Sequence, residues 1–168
     1  MLLTKWLLIT VVAMVAVMVV AAQLGLFKGH KPDDLGVRDG RLKLPALTPN
    51  SVSSQALLYQ EHPQKNYAAI APIGIDGNGE AALARIRKIV EAMPGTQIIE
   101  SVPSYLYAQF TTPILKFVDD VEFWFDSDMN VIHVRSASRL GKSDLGVNRK
   151  RIEAIRSALK STIENGSD

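Results

Sequence analysis

Six cations fall within 17 residues near the end of the chain: Arg135, Arg139, Lys142, Arg149, Lys150 and Arg151, with Asp144 the one acid among them. Ser136, Ser138, Ser143 and Asn148 are interleaved with them, and Gly141 and Gly146 allow tight turns. Guanidinium groups, hydroxyls and helix-start amides together make a cradle for a phosphate or a carboxylate. Arg149, Lys150 and Arg151 fall in the first turn of the expected last helix. That end carries partial positive charge, so each cation is unfavourable there by about 0.3–1 kcal/mol. Such a breach of local preference calls for negative partners. Two kinds are open. One is a visiting anion, a lipid head group, a phosphate or a partner protein's carboxylate, contacted by Arg135, Ser136, Ser138, Arg139, Lys142, Ser143, Asn148, Arg149 and Arg151. The other is internal: Asp119, Asp120 and Glu122 lie on the preceding strand, and Asp144 lies within the basic segment itself. Asp119 shares the parity of Phe117, Val121 and Phe123, so it is expected to face the core, where a carboxylate needs an arginine fork.

Other chemistries have weaker signals. Absence of cysteine excludes disulfides, thiolate catalysis and thiolate metal sites. A serine hydrolase would draw on Ser53 or Ser54, His62 or His133, and Asp119 or Asp120, but no Gly-x-Ser-x-Gly elbow is present. His133 shares the parity of Val131 and Arg135, which predicts an exposed or half-exposed strand position. His133 with Asp120 and Glu122 lacks a metal-ligand spacing. The run from Asp126 to Asn130 lacks the glycine and glutamate of a calcium loop. No metal or cofactor is therefore expected, and no catalytic residue is assigned. Beyond residue 27 the chain carries 18 bases against 17 acids, a balance unsuited to a general nucleic-acid binder.

The elements that would position these groups are legible in outline. Trp6 to Phe27 is a run without a charged side chain, long enough as a helix to cross a hydrocarbon core of about 30 Å. Its length favours a retained anchor over a cleaved signal, with the bilayer as a partner of residues 6–27. The short Lys5-tipped tail resembles a signal-anchor, which would place the domain in the periplasm of a cell with an inner membrane. The basic flank Lys28 to Lys43 argues instead for the cytoplasmic side. Residues 28–66 read as an extended leader broken by Pro32, Pro45, Pro49 and Pro63, and 67–168 as the folded domain. Within the leader, Ser51 to Tyr59 is open between helical and extended.

Asp76-Gly77-Asn78-Gly79 forms a loop that can open a helix. Leu83, Ile86, Val90 and Met93 then make an apolar stripe over about Glu80–Met93, ended by Pro94-Gly95. Alternation predicts strands at Thr96–Val102, Ser104–Thr112, Phe117–Phe125 and Met129–Ala137, joined as antiparallel hairpins. Ile152, Ile155, Leu159 and Ile163 mark a last helix over about Asn148–Ile163. The fold class is α+β: an antiparallel sheet of three to five strands packed on two amphipathic helices, preceded by one transmembrane helix. The sheet face bearing Tyr105, Tyr107, Glu122, Trp124, His133 and Arg135 reads as solvated, with cross-strand pairs.

Three blocks in one order carry a further likeness. They are Pro49-Asn50 with Val52-Ser53-Ser54-Gln55-Ala56; Asp119-Asp120-Val121-Glu122-Phe123; and Arg135-Ser136-Ala137-Ser138-Arg139 with Gly141, Ser143-Asp144, Gly146, Asn148-Arg149 and Arg151. Together they resemble the signature of the domain-of-unknown-function 1499 family, over roughly residues 36–163. The resemblance implies a bacterial or chloroplast domain, often behind an anchor or targeting segment, with no agreed activity. It also implies a cysteine pair where this chain has Ala46 and Ser51, and His and Glu where it has Tyr107 and Gln109. Losing two titrating groups argues against acid–base catalysis from that strand. The expected role is a membrane-anchored, non-enzymatic envelope binding or support module that recognises an anionic group. The alternatives are a hydrolase-like enzyme using Asp119, Asp120 and Glu122 with the basic segment, and a structural partner of another membrane protein.

Overall fold

Alternation along the long strands becomes register in the computed structural model, which describes residues 2–75 and 77–165, side chains of 163–165 excepted. Asp76 in the expected helix-opening loop and the Ile163 side chain of the expected last stripe lie outside the described residues. The chain opens with α1 (Leu2–Gln23), then β1 (Ser51–Ser53), a single 3-10 turn (Ala56–Leu58), α2 (Lys65–Ala68) and β2 (Ile73–Gly74). It continues with α3 (Gly79–Glu91), β3 (Thr96–Val102), β4 (Tyr105–Thr111), β5 (Val118–Asp126), β6 (Val131–Ser138) and α4 (Val147–Asn165). The result is α+β, with a six-stranded antiparallel sheet in the order β1-β6-β5-β4-β3 and β2 also on β6. Six strands exceed the expected three to five, because β1 and β2 are too short for alternation to register. The segment left open between helix and strand resolves into both, β1 and then the 3-10 turn.

α1 is apolar on all sides, and Ala22 is its one buried residue. It is long and apolar enough to cross a membrane, as an anchor or a signal sequence would be. α3 starts where the Asn78 side chain accepts the Ala81 amide at 2.8 Å, an N-cap. It ends at Glu91, and the turn into β3 passes through Gly95, whose φ of +75° suits glycine.

The core lies between the helices and one sheet face. Leu83, Ile86 and Val90 of α3 and Ile152, Ile155 and Leu159 of α4 cover Leu106, Phe110, Val121, Phe123, Ile132 and Val134. Each such side chain contributes about 1.5–3 kcal/mol of burial.

The opposite sheet face departs from expectation. It is not solvated: Leu35, Val37 and Leu42 of the leader pack on Tyr105, Tyr107 and Trp124. Glu122 is 0% exposed there, Arg135 3% and His133 5%. The stretch 35–42 has no helix or named strand and so no periodicity, and the sequence carries no sign that it lies on the sheet. Part of the leader is tied at positions 46 and 51, where the resemblance implies a cysteine pair. Here Ser51 Oγ accepts the Ala46 amide at 2.8 Å, closing the same loop without a covalent bond.

β6 is held on its free side by β1 and β2 in turn, and Ser54 fills the gap between them. Its amide donates to the Val134 carbonyl, and its Oγ accepts the Val134 amide at 3.0 Å. A Cβ on Gly95 would meet the Thr111 carbonyl oxygen at 2.3 Å, whereas one on Gly74 would meet nothing within 4 Å. Gly95→Ala is therefore expected to destabilise by about 1–3 kcal/mol or more, with Gly74→Ala nearly neutral. Denaturant midpoints of the two variants measure the difference.

Candidate functional site

Two polar clusters share β5 because its alternation sends neighbouring carboxylates to opposite faces. On the leader-covered face, Glu122 accepts the Tyr105 hydroxyl and the Gly36 amide on Oε1, both at 2.8 Å. Its Oε2 accepts Arg135 Nη1 at 3.3 Å. Two residues along, Asp120 takes a two-point bond from Arg139, Nε to Oδ2 at 2.9 Å and Nη2 to Oδ1 at 2.8 Å. The Tyr107 hydroxyl donates to Asp120 Oδ1 at 2.5 Å and accepts Gln109 Nε2 at 2.7 Å. Lys31 Nζ lies 5.0 Å over the Tyr107 ring.

Both phenols stay protonated. Burial, then the Glu122 charge, pushes Tyr105 far above the ordinary tyrosine value. Burial, then the bond to Asp120, pushes Tyr107 up to about 12. The bond to Asp120 also raises Arg139. A cleft of about 370 Å³ opens beside this cluster, lined by Lys31, Asp33, Glu100, Tyr105 and Tyr107 among others.

On the helix side, Asp119 accepts Arg151 Nη2 at 2.6 Å. Arg151 Nη1 donates to Ser136 Oγ at 2.9 Å and Asn148 Oδ1 at 2.7 Å, and its guanidinium sits 4.5 Å over the Phe110 ring. Asn148 Nδ2 donates to the Asn50 carbonyl at 3.0 Å and to Ser138 Oγ at 3.1 Å. Asp144 receives the Gly146 and Asn148 amides at 3.0 and 2.9 Å, and the Tyr67 hydroxyl at 2.6 Å. Burial works against its charge, but the bonds from Tyr67, Asn148 and Gly146 prevail and hold its carboxyl below the ordinary range. Arg149 Nη2 donates to the Tyr67 and Ala69 carbonyls at 2.5 and 2.9 Å. In the first helical turn Arg151 thus pairs with Asp119, Arg149 is held by backbone carbonyls, and Asp144 meets the helix-start amides.

Of the nine candidate anion contacts, Arg135, Ser136, Ser138, Arg139, Asn148, Arg149 and Arg151 make these internal bonds. Lys142 and Ser143 are exposed on the loop between β6 and α4, as is Lys150 at the start of α4. Buried polar side-chain atoms left over are few: Arg135 Nε, Asn50 Oδ1 and Thr96 Oγ1 have no partner among the described residues.

The structure also assembles a serine–histidine contact that differs from the expected one. Ser54 Oγ lies 3.0 Å from His133 Nδ1, and His133 Nε2 lies 3.6 Å from Asp126, not from Asp119 or Asp120. His133 is buried and stacked at 5.2 Å on Trp124, which corrects the expected exposed strand position. Burial favours its neutral form, against the pull of Asp126. Ser54 Oγ also accepts the Val134 amide and is half-buried, while the imidazole beside it is buried. Ser53 bonds the Gln55 amide, and His62 lies between the Pro45 carbonyl and the Gln64 amide. Among the described residues, no three His, Asp or Glu side chains converge as a metal set.

Gly36, Asn50 and Tyr67 were not expected in these clusters. The Tyr67–Asp144 and Asn50–Asn148 bonds join residues 77 and 98 positions apart, a separation that no local spacing encodes.

Removing one partner of a buried ion pair strands the other. Arg139→Ala is expected to cost about 3–5 kcal/mol, against under about 0.5 for Lys142→Ala in denaturant unfolding. Asp144→Ala should cost about 1–2 kcal/mol through the lost cap. Because the folded Asp144 value lies below the unfolded one, its contribution is present above about pH 4 and lost as pH falls through the folded value. The melting gap between wild type and Asp144→Ala should therefore close in acid; a gap constant with pH would contradict the cap.

No curated protein and no solved structure matches the chain. A family model described as "Protein of unknown function (DUF1499)" matches residues 41–159. Its span takes in β1 through most of α4, and with them the acids and arginines of both clusters, while Lys31 and Gly36 precede it. By that match, over more than half of its length, the chain belongs to the DUF1499 family.

Proposed function

We propose that the chain is a membrane-anchored, non-enzymatic binding or support module that docks on anionic lipid head groups through the loop between β6 and α4. The observation that carries this reading is the place of the loop. A Cβ on Gly29, six residues beyond α1, would lie 2.8 Å from Arg139 Cβ and 3.1 Å from Leu140 Cγ. The loop after β6 therefore starts against the chain just past the apolar helix. Arginines of that segment are engaged by Glu122, Asp120, Asp119 and backbone carbonyls. The charges offered outward are the exposed Lys142 and Lys150, with Lys28 close behind the helix. Lysine suits this role, because a flexible ammonium meets phosphates as a point charge and needs no fixed fork. We place the domain on the exported side of the membrane, following the signal-anchor layout of the N-terminus.

Each lysine close to an anionic surface gains about 1 kcal/mol, roughly a fivefold effect. The full chain reconstituted in phosphatidylcholine vesicles, with or without phosphatidylglycerol, tests this. Acylation of the Lys142 amine, read by mass spectrometry, should slow by about fivefold with the anionic lipid. The slowing should vanish near 1 M salt, where the screening length is about 3 Å. Equal rates in both vesicles would refute the reading.

A further inference from the structure

The connection between β4 and β5, residues 112–117, does not stay with the sheet. It runs back along α1. The Phe27 and Phe117 rings lie 5.8 Å apart, and Gln23 Nε2 donates to the Ile114 carbonyl at 3.1 Å. Beyond Gln23, Pro113, Ile114 and Leu115 face Val15, Met18 and Val19 across an apolar groove of about 430 Å³. Val15 lies eight residues before Gln23, about 12 Å along the helix axis.

That overlap sets a depth. A helix of 22 residues is about 33 Å long, so spanning a core of about 30 Å uses nearly all of it. Val15 to Val19 then lie inside the hydrocarbon, together with whatever packs against them. Four of the loop's backbone polar groups are met within the protein. Irregular backbone in lipid must have its polar groups satisfied. The Thr112 amide donates to the Phe117 carbonyl, and the Phe117 amide donates to Thr112 Oγ1 at 2.9 Å. Pro113 has no amide hydrogen to satisfy, and the Ile114 carbonyl is taken by Gln23. Ile114 is 62% exposed in the protein alone, a poor arrangement in water and a good one in lipid. Lys116 follows at once, with a stem long enough to reach the head groups.

We infer that the 112–117 loop inserts into the bilayer beside the anchor, with lipid acyl chains filling the groove between them, so that the domain is seated on the membrane rather than tethered above it. This rests on reading α1 as a retained anchor, and goes beyond head-group docking by placing protein backbone at acyl depth.

Because the chain has no cysteine, single spin labels can be placed without background. Three variants of the full chain in phosphatidylcholine–phosphatidylglycerol vesicles suffice: Val15→Cys, Ile114→Cys and Met129→Cys. Met129 is 65% exposed in the turn at the far end of β5, and serves as the aqueous reference. Collision with dissolved oxygen relative to a water-soluble nickel chelate reports depth. The expected result is a ratio at Ile114 several-fold above that at Met129 and close to that at Val15. A lipid-like Val15 with an Ile114 matching Met129 would overturn the insertion and leave the anchor standing. A water-like Val15 would overturn the anchor, and the insertion with it. Ile114 is outside the core, so its cysteine variant should melt with the wild type.

Discussion

Three carboxylates within four residues of one central strand, all nearly excluded from water, govern this structure. Asp119, Asp120 and Glu122 are 5%, 1% and 0% exposed. A buried carboxylate without a counter-charge costs several kcal/mol, so each must be met by a cation and further donors. Strand alternation keeps Asp119 from sharing a cation with the other two, which take one arginine each. Asp120 and Glu122 face the leader and take Arg139 and Arg135 from β6 and its extension. Asp119 faces the helices and takes Arg151 from α4. The three pairs therefore tie β6, α4 and the leader to the same short stretch of β5. The leader joins through the Gly36 amide on Glu122.

This arrangement changes how the basic segment is read. Arginines and serines whose composition resembles an anion cradle are largely committed to the protein's own acids, amides and carbonyls. Planar guanidinium forks suit that work, since Asp120 receives two parallel bonds from Arg139. Charge available to an outside partner falls to lysines on the loop surface. The proposed membrane role uses them, together with an apolar loop that runs back beside the N-terminal helix. In that proposal the buried network is the frame, and the groups around the end of α1 are the contact.

Much of the fold was readable in advance where periodicity is strong. α3, the four long strands and α4 lie within a residue or two of the spans that alternation and apolar stripes predict. Asp119 likewise turns to the helix side, as its parity with Val121 and Phe123 requires. The short strands β1 and β2 left no such trace. The partners of the buried carboxylates were legible as types, acids and arginines in one region, but not as pairs. Tyr67 and Asn50 were invisible as members of the site, because nothing in a neighbouring residue marks a bond to one 77 or 98 positions away.

What the sequence determined by itself is the local grammar: an uncharged helix-length run, amphipathic stripes, alternating strands, and an excess of cations at a helix start that demanded negative company. The tertiary structure decided which company. It laid an aperiodic leader over a sheet face that alternation alone would leave in water, buried His133, and aligned Ser54 with it. It also carried the 112–117 loop back beside α1. The physical reason is range. Backbone geometry and amphipathicity act over a few residues and are written in spacing. Desolvation and charge pairing depend on which distant segments exclude water together, and only the folded chain sets that.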